Sequence, residues 1–309
     1  MWIKQFIHLY KHKTIKEAFA LKALHIPERL FKYRAISEYS LLNLKENTVW
    51  MCNPNLMNDP YDSGLCFNSD SLSQKMIKSN PDTFIKETGI KEYLSNQQIE
   101  QIIQANDSQE IANIIKTAYP SDVDLIDQAY KILNEYFNDH HIKILKEFNV
   151  TVKNSLKICS FSERNDSILM WSHYTNQHTG FCIEYNFHQL IEDIRNRSIY
   201  PVYYSNELFD ATDFLSETNN IYYPIIASLY KAEEWSYEKE WRLIIAGGIM
   251  EEDQNWQMPK AKAVYLGSRI KDEDKNKIIA IAKETKLEVF QMKLAASSFK
   301  LESTRINIE

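Results

Sequence analysis

The chain has 309 residues, a formal net charge of −6, and 44% hydrophobic against 25% charged residues. Chains of this size hide about 75% of their unfolded surface, so a sizeable core is expected, and the acidic balance leaves no basic face for bulk nucleic-acid binding. Only six glycines are present, with a single adjacent pair at Gly247-Gly248; that excludes the Gly-rich cradles that hold phosphates through main-chain N–H groups.

The four cysteines Cys52, Cys66, Cys159 and Cys182 show no C-x-x-C spacing, which argues against a structural zinc site and for reduced thiols. No apolar run of 18 residues and no signal peptide is visible. The expectation is a cytoplasmic protein with no membrane partner.

In chain order, residues 1–28 predict one or two short helices ending before Pro27. "RLFKYR" predicts a strand, "SEYSLLNLKEN" a helix capped by Ser37, and "TVWMCN" a second strand rich in β-branched and aromatic residues. "NPNLMNDPYDSG" is a turn-rich loop. Residues 70–150 change character: "SNQQIEQIIQAN", "SQEIANIIKTAY" and "DVDLIDQAYKILNEYFNDHHIKILKEF" repeat apolar residues at i, i+3, i+4 and i+7. Strands return with "SLKICSFSE", "GFCIEYN" and "IYPVYYS", with a short helix at "SILMWSHYTN". "IYYPIIASLYKAEEW" predicts a helix, "EWRLIIAG" and "KAVYLGSRI" strands, and "KDEDKNKIIAIAKETK" a helix; "LEVFQMKLA" and "FKLEST" close the chain. The fold class is α+β: one domain, 1–309, with a mixed or antiparallel sheet of short strands flanked by helices and an all-helical insertion at 70–150 after the second strand.

The motifs "FKYR", "NPNLMNDPYD", "ICSFSE", "MWSHYTNQHTGFCIEY", "WSYEKEWR" and "VYLG" resemble, in order and style, the bacterial family catalogued as domain of unknown function 2971 (DUF2971). The resemblance spans residues 30 to about 300, apart from the helical insertion. It implies no particular reaction. Members look like accessory proteins of bacteria and their mobile elements, which suggests roles such as phage defence or toxicity.

Three motifs read as chemistry. Lys32 and Arg34 share one face of the first strand, and an arginine fork suits a phosphate; the structural reading makes them a solvated pair. On "CSFSE", Ser160 and Ser162 share a face. The helix after it places Met170, Trp171 and Tyr174 toward the core, with His173, Tyr174 or His178 offering polar tips to a cleft. Gly180 caps this helix or admits a close backbone. In "KAEEWSYEKEWRLIIAG", a strand beginning by Tyr237 would point Glu238, Glu240 and Arg242 the same way. Two carboxylates on one face raise at least one pKa, which suits acid–base chemistry. The structural reading is a salt bridge from Glu240 to Arg242 or Lys231.

Taken together, the order cation, serine strand, late Glu-x-Glu is similar to the Arg–Ser–Glu arrangement of ADP-ribosyltransferases. That resemblance implies Arg34, with Lys32 beside it, on a dinucleotide. It implies Ser160 or Ser162 supporting the nicotinamide pocket, and Glu240, with Glu238 upstream, at the reacting centre. From the residues themselves, His173 joins the catalytic candidates and Tyr174 the cofactor-binding ones. NAD or another nucleotide would be the substrate; no cofactor is required and no metal is assigned. Two alternatives stand beside it. A metal-dependent nuclease or phosphodiesterase would use Asp59, Asp62, His173 and Glu240. A non-enzymatic sensor would bind a protein or nucleic-acid target through the helical insertion. Asp59 also offers either an Asx turn before Pro60 or a carboxylate partner for Arg34.

Overall fold

The computed structural model describes residues 2–187, 198–215, 222–246 and 254–308. These divide into two compact units. The first comprises Met1–Ser63, Lys153–Glu207 and Pro224–Glu309; the second comprises Gly64–Val152 and Leu208–Tyr223.

The first unit opens with helices α1 (Trp2–Lys11) and α2 (Ile15–Ala23), then β1 (Arg29–Arg34), α3 (Glu38–Glu46) and β2 (Thr48–Met51). Ser37 and Ser40 form a capping box at the start of α3, satisfying main-chain donors that a helix end leaves open.

The second unit holds β3 (Leu65–Cys66), the helices α4 (Ser69–Ser79), α5 (Pro81–Thr88), α6 (Asn96–Gln104) and α7 (Ser108–Ala118), and most of the 32-residue α8 (Val123–Asn154). Asn68, Ser95 and Asp107 cap α4, α6 and α7 through their side chains. The periodic apolar residues Ile77, Phe84, Ile99, Ile102, Ile115 and Leu133 form one core.

The first unit resumes with β4 (Leu156–Ser162), α9 (Ile168–Tyr174), β5 (Phe181–Asn186), β6 (Ile199–Pro201) and β7 (Tyr203–Ser205). The predicted single strand "IYPVYYS" is thus two strands with different partners. β8 (Phe209–Asp210) pairs in parallel with β3 in the second unit. Next come α10 (Tyr223–Ala227), β9 (Tyr230–Ala232), β10 (Glu240–Ala246), β11 (Gln254–Gln257), β12 (Ala263–Leu266), α11 (Asp272–Thr285), β13 (Glu288–Leu294) and β14 (Leu301–Ile306). The sequence predicted a helix across "IYYPIIASLYKAEEW"; the structure corrects this. The helix ends at Ala227, β9 pairs with β7, and a 3-10 turn covers Glu233–Glu238. Gly247, the predicted end of the "EWRLIIAG" strand, and Gly248 lie outside the described residues.

Eight strands form one mixed sheet in the order β14-β13-β12-β5-β1-β4-β10-β6. Only β12 and β13 run parallel; the other neighbours are antiparallel. This is the α+β architecture, with helices flanking the sheet. One face carries Leu30, Phe161, Phe181, Ile183, Trp241 and Leu243. The other carries Phe31, Tyr33, Trp171, Cys182 and Tyr265, with α9 packed there.

The chain leaves α9 through Asn176, Gln177 and His178, all left-handed, so the helix stops without a glycine at its cap. Gly180 serves close approach instead: a Cβ there would lie 2.2 Å from the Arg34 carbonyl oxygen. Gly180→Ala must therefore push β1 away from β5, and a loss of about 1–3 kcal/mol is expected from overpacking, read as a lower denaturation midpoint. An unchanged midpoint would mean the strands part freely at this point.

Candidate functional site

β1 and β4 pair only at Phe31 and Ser162. Further along the same edge of β4, Cys52 takes over, exchanging main-chain hydrogen bonds with Ile158 at 3.1 and 2.8 Å. Between those contacts the sheet is open, and a cavity of about 540 Å³ occupies the opening. Consecutive residues Phe31–Arg34 and Ile158–Ser162 line it. Side chains alternate across a strand, so a cavity lined by consecutive residues of both strands lies at the gap between them.

Eight of the residues singled out from the sequence line this cavity together: Lys32 and Arg34; Ser160 and Ser162; His173 and Tyr174; Glu238 and Glu240. They do not share a face. Phe31, Ser162 and Glu240 are cross-strand partners and point the same way. Lys32 and Arg34 therefore belong to the opposite face, with Phe161 and Trp241. The candidate residues therefore reach the cavity from both faces of the sheet.

On the cationic side, Lys32 Nζ donates to the Ser160 carbonyl at 2.9 Å and sits 5.8 Å from the Phe161 ring centroid. Arg34 donates to Asn43 Oδ1 at 3.2 Å. Among the described residues neither is paired with a carboxylate. Asp59, one predicted partner for Arg34, instead accepts the Tyr61 N–H at 2.9 Å, as an Asx turn does.

On the acidic side, the strand does not begin by Tyr237 as predicted. Glu238 ends a 3-10 turn, Lys239 is left-handed at φ 45°, and Glu240 opens β10. The turn still brings the two carboxylates together on Lys231, which donates to Glu238 Oε2 and, at 2.8 Å, to Glu240 Oε2. Arg242 Nε donates to Glu240 Oε1 at 2.8 Å, and its two terminal nitrogens grip Asp62 at 2.7 and 2.6 Å. Tyr174 donates to Glu238 Oε1 at 2.6 Å. Asp62, Lys231, Glu238, Glu240 and Arg242 are all buried. The network is thus a chain of alternating charge that ends on a tyrosine.

Burial and the neighbouring Glu240 charge raise Glu238 above the ordinary carboxylate value, against the pull of Lys231. Burial alone would raise Glu240 too, but Arg242 and Lys231 outweigh it and hold that carboxyl far below its ordinary value. Burial and the Glu238 charge likewise keep the Tyr174 hydroxyl protonated. The two carboxyls are therefore pushed apart: Glu240 is held as the anion, and Glu238 is the more readily protonated of the two.

Ser162 is wholly buried; its hydroxyl donates to the Glu238 carbonyl at 2.6 Å and accepts the Arg164 N–H at 3.1 Å. It positions the acidic turn. His173 is exposed at the rim. His178 is not in the cavity: its Nε2 lies 3.1 Å from Ser172 Oγ and its ring stacks on Trp171 at 6.4 Å. Lys231 and Trp235, which sequence reasoning did not assign to the site, also line the cavity, with Lys231 Nζ 5.2 Å from the Trp235 ring centroid. Among the described residues no group of three or more His, Cys, Asp or Glu side chains is placed to hold a metal ion. Asp62, named for the metal-dependent alternative, is taken up by Arg242.

No described helix is long and apolar enough to cross a membrane. No curated protein and no solved structure matches the chain. Residues 170–243 match the model of a family described as a protein of unknown function (DUF2971); that stretch contains Tyr174, Lys231, Glu238, Glu240 and Arg242. The match supports the DUF2971 family, as the order of motifs implies.

Proposed function

We propose that the protein is an enzyme that handles a nucleotide, NAD first, in a transferase or glycohydrolase reaction. One observation carries the reading: two cations without carboxylate partners among the described residues, and two carboxyls that share Lys231, line a single cavity. Its volume is in the range that takes a small-molecule ligand. Lys32 and Arg34 face the phosphates. The negative acidic wall faces the sugar, where the bond from C1′ to the nicotinamide nitrogen breaks and its electron pair leaves with the base. Glu238 takes the proton of the acceptor hydroxyl as its oxygen bonds to C1′, and a raised carboxyl is a stronger base than an ordinary one. Glu240, locked between Arg242 and Lys231, positions Lys231 and Glu238. A role in phage defence or toxicity fits a reaction that consumes NAD, and a protein or nucleic acid would serve as acceptor as readily as water.

The test is thermal stabilisation by NAD. At a hundredfold excess over Kd a ligand adds about 2.7 kcal/mol, so a rise of several degrees in Tm is expected. Arg34→Ala should abolish the rise while leaving the Tm without NAD nearly unchanged, because among the described residues the Arg34 guanidinium donates only to Asn43 Oδ1. No stabilisation of the wild-type protein by NAD counts against the proposal.

A second reading, a non-enzymatic protein whose acidic network staples the fold, is favoured by one fact. Every carboxylate oxygen of Glu238 and Glu240 is hydrogen-bonded. It requires Glu238→Gln to weaken the fold and to change no reaction.

A further inference from the structure

The opening between β1 and β4 is a missing rung with a defined chemistry. Ile158 exchanges main-chain bonds with Cys52, and the Glu163 N–H donates the other way, to the Lys239 carbonyl. Main-chain groups alternate in direction along an antiparallel strand. Even-numbered residues of β4 thus turn their N–H and C=O toward β1, and odd-numbered ones toward β10. On β1, the Phe187 N–H donating to Glu28 sets even residues toward β5 and odd residues toward β4. Phe31 and Ser162 make their rung. The next rung would join Tyr33 to Ser160, and that pairing is not formed. The Lys32 ammonium occupies the Ser160 carbonyl instead.

Main-chain polar groups inside a protein are nearly always paired. Here the Ser160 N–H and the Tyr33 main chain face a cavity that both residues line. We infer that the ligand of this cavity completes the rung. It would enter edge-on, with an acceptor on the Ser160 N–H and a donor on the Tyr33 C=O. A planar amide edge has that pairing, whether in a free carboxamide or in the edge of a nucleobase. This deepens the nucleotide reading and rests on it for the identity of the ligand. It assigns which end of the ligand lies between the strands, and it makes main-chain atoms of Ser160, not its hydroxyl, the contact.

Amide hydrogen exchange on the full-length, uniformly ¹⁵N-labelled protein reads this directly. Without ligand, the Ser160 amide should exchange at least about tenfold faster than those of Cys159 and Phe161, which face β10. Saturating nicotinamide, AMP or NAD should slow it by about tenfold or more. Protection by nicotinamide assigns a carboxamide to the rung, and protection by AMP a base edge. Ser160→Pro removes the N–H at a position that makes no ladder bond to β10, and should abolish the thermal shift produced by the protecting probe. The inference is overturned if Ser160 exchanges as slowly as its neighbours in the free protein, or if no probe protects it. The two claims separate cleanly. Protection without nicotinamide release from NAD sinks only the proposed reaction; release without protection sinks only the rung.

Discussion

Replacing Arg242 with methionine is expected to cost about 3–5 kcal/mol, the usual loss when one partner of a buried ion pair is removed. Arg242 is completely buried and joins Asp62, Glu240 and the Ser228 carbonyl. Methionine fills much of the volume but donates nothing, so Asp62 and Glu240 would stay buried with Lys231 as the one remaining counter-charge in the network. For a unit of this size the Tm should fall by roughly 6–20 °C. The pH dependence carries the sign of the cause. Glu240 is held below its ordinary value of 4.5. Its contribution is present above pH 4.5 and is lost as pH falls through its folded value. Glu238, raised above 4.5, runs the other way: its contribution is present below 4.5 and is lost as pH rises through its folded value. Removing Arg242 removes part of what holds Glu240 low, so the gap between wild type and variant should narrow as the pH falls below 4.5. Adding Asp62→Leu to the variant should restore part of the loss, with a coupling of about 1–3 kcal/mol. A penalty that is small, or constant with pH, would mean the network does not hold the unit together.

Glu238→Gln should separate chemistry from folding. Glutamine still accepts the Tyr174 hydroxyl, and Lys231 keeps Glu240, so a stability change within about 1 kcal/mol is expected. Loss of the proton carrier should lower nicotinamide release from NAD by about 10²–10⁴-fold. In the wild type the rate should rise with pH as Glu238 loses its proton, on a limb centred above 4.5 because the carboxyl is raised. That limb should vanish in the variant. A rate unchanged by Glu238→Gln removes Glu238 from the reaction. A collapse of stability with it gives the residue to the fold.

Short-range patterns were legible. Alternation in "RLFKYR" and "LKICSFS", the serine before α3, and the apolar spacing of α6 and α7 all locate elements correctly, because each signal lies within a few residues. β9 was not, since Tyr230–Ala232 sits in a continuous aromatic and apolar run that reads equally as helix. Whether the candidate residues meet in space could not be read from the sequence, and neither could the two-sided geometry of their meeting. It depends on β1 leaving β4 after one rung, a register that no local pattern encodes. Lys231 could be read as a salt-bridge partner of Glu240, but not as the cation that two carboxylates share, because Glu238 closes on it only through the 3-10 turn. Asp62 reads as a turn residue in "NDPYD"; its partner lies 180 positions away.

The order in which the sheet is assembled also constrains how the protein is made. β1 is laid down first among the sheet strands, yet its neighbours β4 and β5, and then β10, arrive after the entire helical insertion. At ordinary translation speeds of about 5–20 residues per second, Arg34 waits roughly 10–40 s for Glu240. Through that interval Asp62 has no guanidinium and the cavity has no acidic wall. A polypeptide stopped short of Arg242 therefore cannot complete the charged chain, so a truncated product carries Lys32 and Arg34 without the finished acidic wall opposite them.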